Sequence, residues 1–213
     1  MAKNKEKITD WESYYSKSKS SVSTFTQRFT ENYLINVLKK HNVSCTKIME
    51  CGGGNSCFAS SLCEQIHPVK YDIIDNCEIS IVKSRSNPSI SNAYNINLLN
   101  EISDKHMLEY YDMVYSVGLA EHFSDDERKI IIENHFKLCK KGGVVLITVP
   151  TPTFKYKVVR KCMEFLHVWQ FFDERPLYLQ NLQLEMETYG EILDAGINYK
   201  LPLTQAVVVA RKK

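Results

Sequence analysis

The sequence contains no apolar run approaching the ~20 residues needed to cross a bilayer as a helix, and its start offers no apolar stretch resembling a secretory leader. Both absences predict a cytoplasmic protein with no membrane partner. Charge of one sign is equally lacking: 27 Lys and Arg face 25 Asp and Glu across 213 residues. Without a large electrostatic field, nucleic acid is not an expected partner. The seven cysteines include no Cys-x-x-Cys pair, which argues against a disulfide framework and against a zinc ribbon. Cys45, Cys51, Cys57 and Cys63 do recur at six-residue intervals. They fall before a strand, at its end, at a helix start and inside that helix, where they cannot readily converge, so no metal is expected. No internal repeat or interdomain linker stands out. What the chain does have is 44% hydrophobic residues, enough for one substantial core in a single domain, residues 1–213.

Apolar spacing then sets out the elements. Residues 1–40 carry Trp11, Tyr14 and Tyr15 and end in a helical pattern over Phe29 to Lys40, which predicts a helical cap or lid. From residue 46 to 150 strands and helices alternate, as in a parallel sheet with crossover helices. Strands are predicted at Lys47 to Cys51, Val69 to Asp75, Ser91 to Asn95, Tyr111 to Val117 and Val144 to Val149. Helices are predicted at about Ser56 to Ile66, at Glu78 to Arg85, and after Ser124, where Ser124 and Glu127 form a capping box and Gly142 and Gly143 supply the stop. An aromatic-rich helical insertion is expected over Phe154 to Phe172, within an acceptor-side segment, residues 153–176. A helix over Leu179 to Asp194, with Leu182, Met186, Tyr189 and Leu193 on one face, and strands at Ile197 to Leu203 and Gln205 to Arg211 close the chain.

The segment Ile48-Met49-Glu50-Cys51-Gly52-Gly53-Gly54-Asn55-Ser56 puts three glycines between a strand and a helix. Missing side chains there let a ligand approach the backbone closely, although a purely structural turn satisfies the same pattern. A Walker loop is excluded because no Gly-Lys-Ser or Gly-Lys-Thr follows. The dinucleotide fingerprint fails at its third glycine, where Cys57 stands, which disfavours a nicotinamide-dependent oxidoreductase.

These residues resemble the class I S-adenosylmethionine-dependent methyltransferases, whose first motif is an acidic residue followed by a Gly-x-Gly turn, as in Glu50-Cys51-Gly52-Gly53-Gly54. The resemblance continues in order through Tyr71-Asp72-Ile73-Ile74-Asp75, Asn95-Ile96-Asn97, Tyr111 to Phe123 with its Glu121-His122 pair, and Lys141-Gly142-Gly143-Val144-Val145. It implies a Rossmann-like, mostly parallel seven-stranded sheet with an antiparallel last strand and helices on both faces. It also implies S-adenosylmethionine as cofactor and S-adenosylhomocysteine as product. Glu50 would serve the cofactor's amino end, Gly52 and Gly54 its ribose and methionine portion, and Asp75 the ribose hydroxyls. Asn97 would serve the adenine in place of the usual Asp, with Val117 and Tyr14 completing the cofactor site.

For the acceptor, a histidine at the carboxyl end of the fourth strand is well placed to take a hydroxyl proton. His122 is the first candidate base and His167 the second, each also readable as a structural histidine. Lys155, Lys157, Arg160 and Lys161 either attract an anionic acceptor or form a solvated helix face, and Asp173-Glu174-Arg175 reads as a pocket rim or a helix start. The expected acceptor is a small molecule, such as a sugar or a glycan precursor. A non-catalytic S-adenosylmethionine-binding partner subunit is the alternative.

Overall fold

The computed structural model describes residues 8–16, 21–41 and 46–213; Cys45, one member of the six-residue cysteine series, lies outside them. Helices α1 (Trp11–Ser16) and α2 (Ser21–Lys40) precede the sheet. Strand β1 (Lys47–Cys51), helix α3 (Ala59–Ile66), β2 (Lys70–Asp75), α4 (Glu78–Arg85), β3 (Asn92–Asn95) and β4 (Tyr111–Val117) follow. After a 3-10 turn at Ala120–His122 come α5 (Asp125–Leu138), β5 (Cys139–Pro150), α6 (Phe154–Phe165), α7 (Leu179–Glu187), β6 (Gly190–Asn198) and β7 (Gln205–Lys212). The strands form one seven-stranded sheet in the order β3-β2-β1-β4-β5-β7-β6. Strands β1 to β5 pair in parallel, and β7 runs antiparallel to both β5 and β6.

Alternation along the central strands divides the core between the two faces, because successive strand side chains point to opposite sides. Met49, Val114, Ile147 and Val208 join Ile131, Phe136, Leu182 and Met186 of α5 and α7 in one cluster. Their strand neighbours Ile48, Met113, Leu146 and Val209 join Leu34, Leu38, Leu62 and Ile81 of α2, α3 and α4 in the other. Both faces are therefore covered, which is why the parallel strands are apolar almost throughout. Among the described residues no helix is long and apolar enough to cross a membrane.

The chain departs from sequence expectation in several places, beginning with α2, which starts at Ser21, eight residues before the expected Phe29. The helix expected over Leu179 to Asp194 ends at Glu187, and β6 begins at Gly190, seven residues before the expected strand. The helical spacing of Tyr189 and Leu193 was coincidental: pairing with β7 from Gly190 to Asn198 overrides it. Gly190 permits that pairing, since a Cβ there would stand 2.7 Å from the Arg211 carbonyl oxygen and 2.8 Å from the Phe136 ring. The helix expected over Phe154 to Phe172 ends at Phe165, and His167 takes a left-handed conformation (φ 56°) just beyond it. Finally, α5 stops at Leu138 and the chain is already extended from Cys139, so Gly142 and Gly143 lie within β5.

His135 is fully buried on α5. Its Nδ1–H donates to the Ile131 carbonyl at 2.7 Å, while its Nε2 has no partner. Burial pushes its pKa down from 6.5 to about 4. A depressed histidine favours the fold above the unfolded-state pKa, and that contribution is lost as pH falls from about 6.5 towards 4. Between pH 7 and pH 5 the loss from this group is about 2 kcal/mol. Denaturant unfolding of the wild type and of His135→Leu at both pH values should show the variant sparing this loss; an identical pH response would refute the assignment.

Candidate cofactor and acceptor site

In an open parallel sheet, ligands bind where the strand order reverses, outside the carboxyl ends of the strands. Here the reversal lies between β1 and β4. The glycine turn leaves β1 at that point with Gly52 (φ +66°) and Gly54 (φ +54°) both in the left-handed region, which a side-chain-bearing residue occupies only under strain. Gly52 N–H donates to the Ile74 carbonyl at 2.7 Å. Gly54 N–H donates to Asp75 Oδ2 at 2.8 Å, and Cys77 N–H donates to Asp75 Oδ1 at 2.8 Å. Asp75 thus ties the turn after β1 to the start of α4 while lying at the end of β2. Ser84 Oγ closes the other side by donating to the Gly54 carbonyl at 2.5 Å.

Glu50 points into the sheet beneath this turn. Its Oε2 accepts from Ser56 Oγ and from the Tyr71 hydroxyl, both at 2.6 Å, and the Tyr71 and Tyr115 hydroxyls are hydrogen-bonded to each other. Burial drives its pKa up to about 7 against the opposing effect of those hydroxyls. Asn97 is exposed beyond β3, where its Oδ1 accepts from Leu99 N–H at 2.9 Å. Val117 ends β4, half-buried against the α2–α4 face.

Helix α1 lies across the turn. Tyr15, not the expected Tyr14, covers it: a Cβ on Gly54 would stand 2.3 Å from the Tyr15 ring. Leu119 closes on Gly52 in the same way, at 2.6 Å. Lys83 Nζ donates to the Tyr15 carbonyl, and Trp11 stacks on Tyr15 with ring centroids 5.9 Å apart. Tyr14 turns instead toward Phe171, at 5.3 Å. The spacing of Trp11 and Tyr15, four apart, is the sequence signal that placed them on one helix face.

A second group of polar side chains begins at the 3-10 turn after β4. His122 Nδ1 stands 3.1 Å from Asp173 Oδ1, and its side chain is only 7% exposed beneath the edge of the Trp11 ring, 4.8 Å away. Thr9 Oγ1 also donates to Asp173. Burial lowers the His122 pKa below 6.5, and Asp173 offsets only part of that effect. Burial works against the Asp173 carboxylate too, but Thr9 and His122 outweigh it, so its pKa lies below the ordinary value. Glu121 is fully buried and held well above the carboxylate range by desolvation and then by Glu174 and Asp173. Glu174, which accepts from Tyr156 and lies 3.5 Å from Arg160, is raised by burial to about 7. His167 is exposed at the end of α6, so the structure gives the two candidate bases different surroundings.

No family model matches the chain, and no curated protein matches it in sequence. Solved structures do. Magnesium protoporphyrin IX methyltransferase (ChlM) from Synechocystis PCC 6803, with bound S-adenosylhomocysteine, matches with a TM-score of 0.69 at 11% identity, over 95% of this chain and 93% of that one. The N-methyltransferase NodS from Bradyrhizobium japonicum WM9, in complex with S-adenosylhomocysteine, matches with a TM-score of 0.64 at 12% identity, over 88% and 87%. The chain has the class I methyltransferase fold.

Within the methyltransferase fold, the glycine turn, Asp75 and the His122 turn occupy neighbouring strand ends. The link between His122 and Asp173 spans 51 positions and has no local signature, so sequence reasoning left Asp173 as a rim or helix residue. The same reasoning missed Leu119 against Gly52 and the isolation of Glu121. Following the His122 ring protons by NMR should show titration below pH 6.5. Asp173→Asn should lower that midpoint further by removing the favourable charge, whereas Trp11→Ala should raise it by admitting water. Shifts of opposite sign in either variant would contradict the assignment.

Proposed function

We propose that the protein transfers a methyl group from S-adenosylmethionine to a small-molecule acceptor, releasing S-adenosylhomocysteine. The observation that carries this reading is the adjacency of a left-handed glycine turn clasped by Asp75 and a part-buried His122–Asp173 pair, both beyond the carboxyl ends of the sheet. That ChlM and NodS bind S-adenosylhomocysteine supports it. The proposal covers one cytoplasmic domain of 1–213, with residues 1–40 as cap, 46–150 as cofactor core and 153–176 on the acceptor side.

The turn fits an adenosyl ligand: Gly52 and Gly54 leave spaces that side chains from Leu119 and Tyr15 now fill. Withdrawal of α1 would clear Tyr15 from Gly54, while Leu119, which follows β4, would have to turn aside from Gly52. Asp75 accepts from the Gly54 and Cys77 N–H groups, with Ser80 and Asn76 also approaching it, so ribose hydroxyls would share or displace part of this set at the carboxylate's remaining lone pairs. Asn97, Val117 and Tyr14 border the same strand ends, and Glu50 fixes the turn from below. When bound, S-adenosylmethionine supplies a methyl carbon made electrophilic by its sulfonium.

The chain's own task is to position the acceptor, exclude water and take a proton. With Nδ1–H donated to Asp173, Nε2 of His122 is left as the proton acceptor, and the lowered pKa keeps the ring neutral near pH 7. We assign the base to His122 and not to the exposed His167. Trp11, Tyr14 and Phe171 shield the ring from solvent. The sequence argument places a hydroxyl, on a sugar or glycan precursor, before this base; an amine presents the same demand.

Calorimetric titration should show micromolar S-adenosylhomocysteine binding, about 8 kcal/mol, and none for NAD. Asp75→Ala should weaken the adenosyl ligand by ~1.5–3 kcal/mol. His122→Ala should lower turnover by about 10²–10⁴-fold at unchanged adenosyl affinity. Binding without turnover on any acceptor would favour the non-catalytic partner subunit, and absence of adenosyl binding would end the methyltransferase reading.

A further inference from the structure

Three carboxyl groups converge beside His122, and they are not equally served. Asp173 has His122 and Thr9, and Glu174 has Tyr156 and Arg160. Glu121 is 1% exposed, its Oε2 has no hydrogen-bond partner, and its Oε1 lies 3.9 Å from His122 Nε2. A buried carboxyl oxygen left without a partner is costly, and the cost falls when a donor or a cation reaches it.

The neighbouring arrangement shows which chemistry suits the place. The Arg160 guanidinium sits 4.8 Å over the Trp169 ring while approaching Glu174 at 3.5 Å. There a cation lies between an aromatic face and a carboxylate, a pairing favoured by the ring quadrupole. Glu121 adjoins His122, and Trp11 and Phe171 pack on the His122 ring.

We infer that the acceptor is a small protonated amine, seated between the Glu121 carboxyl and Nε2 of His122. The inference deepens the methyl-transfer reading and rests on it. A nitrogen lying beside this 3.9 Å Oε1–Nε2 pair, and bridging its two atoms from one side, is at ordinary hydrogen-bond distance from both. An ammonium brings charge and up to three donors, so it meets Glu121 and Nε2 together, whereas a hydroxyl has one proton and leaves the carboxylate charge unopposed. An anionic acceptor is opposed by the Asp173 carboxylate, and Lys155, Lys157 and Lys161, which could have attracted it, are exposed on α6.

Methylation at that nitrogen balances. The ammonium proton passes to His122 Nε2, the freed lone pair forms the N–C bond as the C–S bond breaks, and the sulfonium leaves as a neutral thioether. His122 then returns its proton to solvent.

The test uses the full chain. Calorimetry establishes S-adenosylhomocysteine binding first, and the complex is then titrated with benzylamine and with benzyl alcohol, probes of nearly one shape that differ in charge. Benzylamine should bind at least about tenfold more tightly, as a charge-assisted hydrogen bond implies. Glu121→Gln should erase that preference while leaving S-adenosylhomocysteine affinity unchanged. Equal or tighter binding of the alcohol, no binding of either probe, or a preference that survives Glu121→Gln would overturn the inference. The wild-type ratio needs no variant, so a folding defect in Glu121→Gln would not rescue it. Failure at the first titration would instead sink the methyl-transfer reading, and the inference with it.

Discussion

Glu50 closes β1 with a carboxyl group only 3% exposed, and its Oε2 receives both the Ser56 and the Tyr71 hydroxyls. That one oxygen organises the carboxyl end of the sheet. Ser56 Oγ, held in place by it, accepts from Ala59 N–H at 3.0 Å and so starts α3. Tyr71 belongs to β2 and bonds to Tyr115 of β4, so the two strands flanking β1 are tied through its last polar side chain. The glycine turn must then leave β1 over the top of Glu50, because a Cβ on Gly53 would already stand 2.8 Å from its carboxyl carbon. A pKa near 7 records the balance between burial, which penalises the charge, and the hydroxyls, which favour it.

From that anchor the two halves of the site acquire different chemistry. The cofactor side is built from backbone: left-handed glycines, N–H groups satisfied by Asp75, and a carbonyl satisfied by Ser84. Small changes in side-chain identity there act mainly through sterics. In the other half, Glu121, His122 and Asp173 lie together with the Trp11 ring against His122, so electrostatics weighs more there. Helix α1 joins the halves, since Tyr15 lies on Gly54 while Trp11 lies on His122. One short helix therefore closes both.

What the sequence made legible follows the range of the interactions involved. The glycine turn, the Ser124 capping box and the β5 run are local patterns, and the structure shows a left-handed turn, a reciprocal cap and a central strand at those places. The order of motifs along the chain sufficed for the seven-stranded fold. Boundaries failed where a long-range partner decided the matter, as at β6, where pairing with β7 converted helical-looking spacing into a strand. The partnership of Asp173 with His122 failed for the same reason, since no local rule joins a residue after β4 to one in the segment beyond α6. Tyr14 was chosen where Tyr15 makes the contact, a difference of one position that turns a helical side chain by about 100°.

The opposite displacements of His122 and Glu121 share a cause. Exclusion of water penalises the charged form of each, lowering the histidine and raising the acid. Both shifts disfavour charge in the closed structure, where separated charges would be costly. Withdrawal of α1 would return water and move both groups toward their ordinary values, favouring a carboxylate able to draw in a cation. Closure over that cation would then strengthen their attraction by lowering the local dielectric. The cap that shuts the site is thus also the element that sets its charge.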